Sequence, residues 1–453
     1  MAAVIAENDL RVKINNRQIL KIALPISVAI LIPQLNFITN NIFLGHYSTE
    51  ALAIASITGV YYLIFASIGF GLNNGLQTLI SRRAGENKPE EIGKIFSQGV
   101  YISLCIAAVG MLVTYFITPV LFRAVIHDPV NAEKAVAFLR IRVWGLPFLY
   151  VYQLRNALLV GTNQSRFLII GTLAEAVANV VFDYLLIFGK FGFPEMGFNG
   201  AAVASIIAEF MGMFVIFLVI HKKGITKRFA LFKSFKWDRK NARLISSMSA
   251  PLVFQHGISI ISWEIFYILI ERNDTETALA ISNTMRNVFG IFGSFTWAFA
   301  AAGSSMVSNI IGQGRHDQVP YLIRSIVRLS TGMAIVAFII LNLTPQLFLS
   351  IYGQSGDFIE RGIPVMRVIS VAMILMSFSV VWISSVTGTG NTKVSLMIEA
   401  ATIVLYCFFV YLVLEKFKLG ITYGWMSEWL YWTCLFIPSF IYIRSGRWKK
   451  KII

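Results

Sequence analysis

Residues 173–184 read Leu-Ala-Glu-Ala-Val-Ala-Asn-Val-Val-Phe-Asp-Tyr. Glu175, Asn179 and Asp183 stand four residues apart, so on a helix they form one polar stripe, with successive side chains about 6 Å apart along the axis. Two carboxylates and an amide on one face can share a proton. They can also supply the hard oxygen ligands that a small cation such as Na⁺ takes, which makes Asp183 and Asn179 candidate metal ligands. A structural hydrogen-bond cluster between helices is the remaining reading. A second acid, Glu264, stands alone in Ser-Ile-Ile-Ser-Trp-Glu-Ile-Phe (259–266), a setting suited to proton uptake. Gln255 and His256, about two turns earlier, are expected to face a cavity. Asn40, Asn41, Asn73, Asn74, Gln77, Gln153, Asn156, Asn283, Arg286 and Asn287 line that cavity or bridge helices. Trp263, Trp297 and Trp382 offer aromatic faces for an organic cation. Glu209, Glu399 and Glu428 are expected to be structural, paired with arginines such as Arg142 or Arg367.

The elements that hold these residues follow from composition. The 453 residues are 56% apolar and 14% charged, against about 25% charged in a soluble domain. A soluble, disordered or disulfide-stapled chain is thereby excluded, and Cys105, Cys407 and Cys434 all lie in apolar runs. A membrane-crossing helix needs about 20 apolar residues. Twelve such runs are present, at 20–44, 51–80, 95–122, 135–160, 167–188, 199–221, 244–271, 276–311, 320–349, 363–388, 394–415 and 420–443. Residues 1–17 carry both signs of charge and lack the features of a cleavable signal. The expectation is an all-α, multi-pass membrane protein with twelve transmembrane helices.

The net charge of +16 does not mark a nucleic-acid partner, because the basic residues gather at the ends of apolar runs. On the side of the N-terminus fall 26 of the Lys and Arg residues, and 7 on the other. By the positive-inside rule both termini are cytoplasmic, here at the cell (inner) membrane, with lipid as a partner. Asp183 then lies in the outer half of span 5, and Glu175 nearer its centre. The most basic loop, 222–243, is expected to be a cytoplasmic linker near anionic lipid headgroups.

The chain repeats itself. Ser81–Lys88 answers to Ser308–Arg315, and Gly161-Thr162 with Arg166 answers to Gly388-Thr389 with Lys393, both at an offset of 227. Pro25 and Pro251 agree at 226. Two six-helix halves in one orientation are therefore expected, an N-lobe over 1–221 and a C-lobe over 244–453, joined by the basic linker 222–243. Parallel repeats of this kind are a transporter architecture. No Walker loop and no Cys/His metal spacing occurs, so no enzyme, ATP hydrolysis or cofactor is expected, and an ion gradient must drive transport.

Pro25, the Gly161–Arg166 and Gly388–Lys393 turns, and Asn179-x-x-x-Asp183-Tyr184 followed by Ile187-Phe188-Gly189 and Gly200-Ala201-Ala202 resemble the multidrug and toxic compound extrusion (MATE) family over essentially the whole chain. The resemblance implies a monomeric transporter of two six-helix lobes that rocks between outward- and inward-open states, exporting amphipathic organic cations in exchange for H⁺ or Na⁺. It implies a cation site made by an acid in span 1 with Asn179 and Asp183. The family's acid usually stands five residues before the glycine matched by Gly45, where this chain has Asn40; Glu175 is the substitute carboxylate. Glu264 resembles a span-7 glutamate of other members, and the acid some carry in span 10 is missing from 376–387. A lipid or lipid-linked oligosaccharide flippase of the same superfamily is the alternative, kept open by Arg140, Arg142, Arg155, Arg286, Arg328 and Arg367.

Overall fold

In hydrocarbon a backbone must satisfy its own hydrogen bonds, and a helix does so within one segment. Each of the twelve apolar runs is helical in the computed structural model, which describes residues 10–126, 128–233, 236–351, 356–451 and 453. The helices are α1 (Asn16–Tyr47), α2 (Thr49–Gly85), α3 (Pro89–Phe116), α4 (Pro129–Gly161), α5 (Leu168–Phe188), α6 (Phe198–Lys222), α7 (Arg239–Asn273), α8 (Glu276–Gly312), α9 (Val319–Leu343), α10 (Gly356–Gly388), α11 (Thr392–Lys416) and α12 (Ser427–Arg444). Among the described residues there is no strand. Eleven helices are long and apolar enough to cross a membrane. The twelfth, α12, carries Glu428 and Pro438 among its tryptophans and tyrosines. Prolines end two runs earlier than hydropathy suggests. Pro119 and Pro345 open the short helices Thr118–Val125 and Pro345–Ser350, because a ring without an N–H starts a helix more readily than it continues one. The first nine residues, half of the segment read for a cleavable signal, lie outside the described residues.

The 227-residue repeat is present in the backbone as well as in the residue types. Ser48 caps α2 by accepting from the Ala51 N–H at 3.4 Å, and Thr275 caps α8 by accepting from the Ala278 N–H at 3.2 Å. Beyond α2 and α8 the chain turns through left-handed residues, Asn87 (φ 55°) and Gly314 (φ 77°). Beyond α4 and α10 it does so through Asn163 (φ 62°) and Gly390 (φ 95°). Asn and Gly are the residues that enter this region at least cost.

The chain divides into two compact units, Val28–Val253 and the remainder, Phe254–Ile453 with the residues up to Ser27. Both division points fall inside helices, α1 and α7, two residues after Pro25 and Pro251. Each unit also holds the start of a helix whose remainder belongs to the other. The segment before α1 is fastened chiefly by Asn309, which accepts from the Val12 N–H at 3.1 Å and donates to the Leu10 carbonyl at 3.1 Å, with Gln313 donating to the Val12 carbonyl at 3.0 Å. The segment before α7 is fastened in the same way by Gln98, which accepts from the Asp238 N–H at 3.2 Å and donates to the Lys236 carbonyl. Leu10 and Lys236 are again 226 residues apart.

The basic segment 222–243 is more than a tether. Phe229 is fully buried, and its carbonyl lies where a Cβ on Gly93 of α3 would stand. Trp237 meets Tyr101 with ring centroids 5.2 Å apart. Phe229 packs in the interior and Trp237 against Tyr101 near the surface, so these residues belong to the fold of the 28–253 unit. In the other unit the core runs through Phe266, Met285, Phe289, Met373, Trp425 and Trp432. The faces turned outward carry Phe37, Phe116, Leu343, Met397 and Phe408, as a lipid-solvated surface permits.

Candidate cation site

In the 28–253 unit, Asn36 of α1 donates through Nδ2 to Asn179 Oδ1 of α5 at 2.6 Å. Both helices are odd-numbered in an alternating chain and so run the same way; one turn further along each stand Asn40 and Asp183. Asp183 is completely buried. Neither of its carboxylate oxygens has a hydrogen-bond partner among the described residues, and the amide oxygens of Asn36, Asn40 and Asn156 also lack a donor. Buried polar atoms are nearly always paired, so a carboxylate with both oxygens open is set up to receive something. Sequence reading missed Asn36, although Asn36 and Asn40 repeat the four-residue spacing of Asn179 and Asp183.

The other buried acid of this unit, Glu209, is paired. Arg142 Nη1 donates to Glu209 Oε2 at 2.9 Å, and Nη2 to Oε1. The guanidinium also lies 3.9 Å from the centre of the Tyr62 ring. Arg155 donates to the Tyr152 carbonyl at 3.0 Å and to Thr172 Oγ1 at 3.3 Å, 3.3 Å over the Tyr152 ring. Glu175 stands beside this arginine and the Tyr152 hydroxyl, with its Cβ against Gly212 of α6. Arg142 answers Glu209 with an ion pair, Glu175 lies near Arg155 without one among the described residues, and the buried Asp183 is left open. The stripe read from sequence thus divides by surroundings, with Glu175 among charges and Asn179 and Asp183 among amides. Asn73 and Gln153 are buried in the same unit; Asn73 donates to Asn74 at 3.3 Å, and Gln153 Oε1 lies against Gly69 of α2.

In the 254–453 unit the candidates separate. Glu264 is half-buried near Tyr267, which Arg286 and Glu428 also flank. The Arg286 guanidinium lies 5.9 Å from the Trp263 ring centre and 5.6 Å from that of Tyr267, so the cation facing Trp263 here is internal. Trp263 also packs on Trp425 and Phe289. Asn283 is exposed on its unit, and His256 is half-buried. Gln255 is engaged: Nε2 donates to Glu399 Oε2 of α11 at 3.3 Å. Ser259 Oγ and the Tyr431 hydroxyl both donate to Glu399 Oε1, the former at 2.9 Å. Among the described residues no arginine pairs with Glu399, although Arg142 does answer Glu209 as expected. Among the described residues no group of three or more His, Cys, Asp or Glu forms a metal cage. What the unit 28–253 presents is a single carboxylate among neutral oxygens, chemistry that suits a monovalent occupant better than a divalent one.

The family model described as MatE matches this chain twice, over residues 25–185 and 251–412. The two stretches begin 226 residues apart and end 227 apart, the same repeat found within the chain. A probable multidrug resistance protein NorM of Thermotoga maritima is 24% identical over 454 residues, covering 96% of this chain and 94% of that one. A protein of the same description from Synechocystis is 24% identical over 79% of both. Among solved structures, a MATE protein in complex with MaL6 superimposes with a TM-score of 0.90 at 17% identity, over 98% of each chain. An outward-facing MATE family transporter of the MOP superfamily does so at 0.87 and 16%, over 96% of each. The doubled match, the twelve helices and the open carboxylate on α5 belong together: this chain is a member of the MatE family.

Proposed function

We propose that the protein is a secondary active exporter of amphipathic organic cations, driven by protons returning through Asp183. The observation that carries this is the contrast within one unit: the buried Glu209 is ion-paired with Arg142, whereas neither carboxylate oxygen of the buried Asp183 has a hydrogen-bond partner among the described residues. Relatives of the same length named for multidrug resistance support the cargo class. Amides on α1 where other members carry an acid favour a proton over Na⁺, since one carboxylate fewer remains to offset a permanent charge. Binding of the proton and of the drug favours different arrangements of the two units, and this difference in affinity is what couples them. Helices α1 and α7, each shared between the units, are the segments through which such a change passes. Both termini lie on the cytoplasmic side in this reading.

The flippase alternative needs unpaired basic residues for a pyrophosphate. Arg142 and Arg155 are instead engaged inside their unit, Arg140 lies 5.4 Å from the Tyr115 ring centre, and Arg286 lies over aromatic rings. Ethidium efflux in a pump-deficient host tests the proposal. Efflux by the wild type should collapse with a protonophore and ignore external Na⁺, and Asp183→Asn should lower it at least tenfold. Unchanged efflux in Asp183→Asn would remove Asp183 from the mechanism.

A further inference from the structure

Glu399 is buried in the 254–453 unit, and among the described residues it has no ion-pair partner. Its three partners are an amide, a serine hydroxyl and a tyrosine hydroxyl. Each of these can donate to a carboxylate and, after rotation about one bond, accept from a carboxylic acid. The amide oxygen of Gln255 is buried without a donor, so an acceptor for an acid O–H is already at hand. Glu209 is the useful contrast. Its partner Arg142 can only donate and stays charged, which fixes Glu209 as a carboxylate. The surroundings of Glu399 serve both protonation states equally well.

Position adds a second argument. Under the repeat, α11 corresponds to α5 and α7 to α1. Asp183 on α5 lies one turn beyond the Asn36–Asn179 bridge from α1, and Glu399 on α11 is held by Gln255 and Ser259 of α7. The repeat partner of Asp183 is Val410, eleven residues after Glu399. Eleven residues are close to three full turns, so the acid keeps the same helix face and moves about 16 Å toward the start of the helix. Gln255 and Ser259 are also among the first residues of α7 to belong to this unit, just past the division at 253.

We infer that Glu399 is a second exchangeable monovalent-cation site, on the helix pair that mirrors the Asp183 site, where a proton adds to a carboxylate oxygen and the new O–H turns to Gln255 or a hydroxyl. The inference rests on the proposed ion-coupled transport for its purpose, not for its detection. The titratable groups on the elements around it are His256 of α7, Tyr406 of α11, and Glu428 and Tyr431 of α12; α10 offers the Thr387 hydroxyl, which lies 3.0 Å from Ser395.

The test is pH-difference infrared spectroscopy on the purified full-length protein in lipid, without any drug. Wild type should show a protonated-carboxyl band that Glu399→Gln abolishes and Asp183→Asn retains. Tyr431→Phe keeps the acid but removes one partner, and should displace the pH at which that band titrates by about one pH unit. Loss of the band on adding Na⁺ at fixed pH would identify sodium as the occupant, and loss only with alkali would identify the proton; either supports the site. If neither pH nor Na⁺ alters any band lost in Glu399→Gln, and Tyr431→Phe titrates as wild type, Glu399 is a fixed structural acid. A chain that exported nothing would still show the band, so the two proposals fail separately.

Discussion

The unit spanning 28–253 and the unit built from 254–453 descend from one repeated pattern, yet they treat buried charge differently. The first pairs Glu209 with Arg142, sets Arg155 near Glu175 and leaves Asp183 open. The second holds Glu399 with neutral partners only. Helix ends, caps and turns recur at 226 or 227 residues, while the buried acids do not. Backbone geometry is set by a few local positions and survives divergence. A buried charge depends on partners from several helices, so it can be relocated by whole turns as long as the face is kept.

The largest expected effect separates the two kinds of acid by stability. Glu209→Ala leaves Arg142 charged and unpaired in a dry interior, and should cost about 3–5 kcal/mol of unfolding free energy, read as a fall in thermal midpoint in detergent. Glu399→Gln keeps an acceptor and a neutral shell, and should cost no more than about 1.5 kcal/mol. Equal losses would end the distinction between a fixed and an exchangeable acid.

Next come the equivalent glycines at the ends of α4 and α10. A Cβ on Gly388 would stand 2.5 Å from the Ser304 carbonyl oxygen, which is backbone, whereas one on Gly161 would meet first a methyl of Ile80 at 2.7 Å. Gly388→Ala should therefore destabilise by about 1–3 kcal/mol and Gly161→Ala by less, because a side chain yields more easily than a helix. The reverse order would mean that the backbone of α8 shifts more freely than the packing on α2.

The smallest effects lie in the turns. Gly314→Ala puts a Cβ at φ 77° with open space around it, so only backbone strain counts, about 1 kcal/mol. Asn87→Gly at the matching turn should change stability by less than about 0.5 kcal/mol. A large loss there would show that the Asn87 side chain does more than tolerate the turn.

Much of this was readable in the residues themselves. Twelve spans, the repeat and its offset, and the pairing of Asn179 with Asp183 all rest on periodicity along one chain. The readings that needed more are those that depend on which helix lies opposite. Asn36 had the right spacing beside Asn40, but nothing in the sequence aims it at Asn179, 143 residues away. Gln255 and Ser259 share a face of α7, yet their partner Glu399 looked like an ordinary structural acid until α11 and α12 were placed beside it. Glu175 lay on the predicted stripe, and Arg155 drew it into other company.

By itself the sequence determined that the chain is a membrane-embedded, doubled bundle, because a bilayer demands long apolar helices and a repeat leaves the same caps and left-handed turns at the same interval. Tertiary structure alone decided which acids are answered by arginine and which by amides and hydroxyls. It also decided that α1 and α7 each begin in one unit and finish in the other. Those outcomes depend on contacts between residues more than a hundred positions apart, and no local spacing encodes which side chain a buried charge will meet.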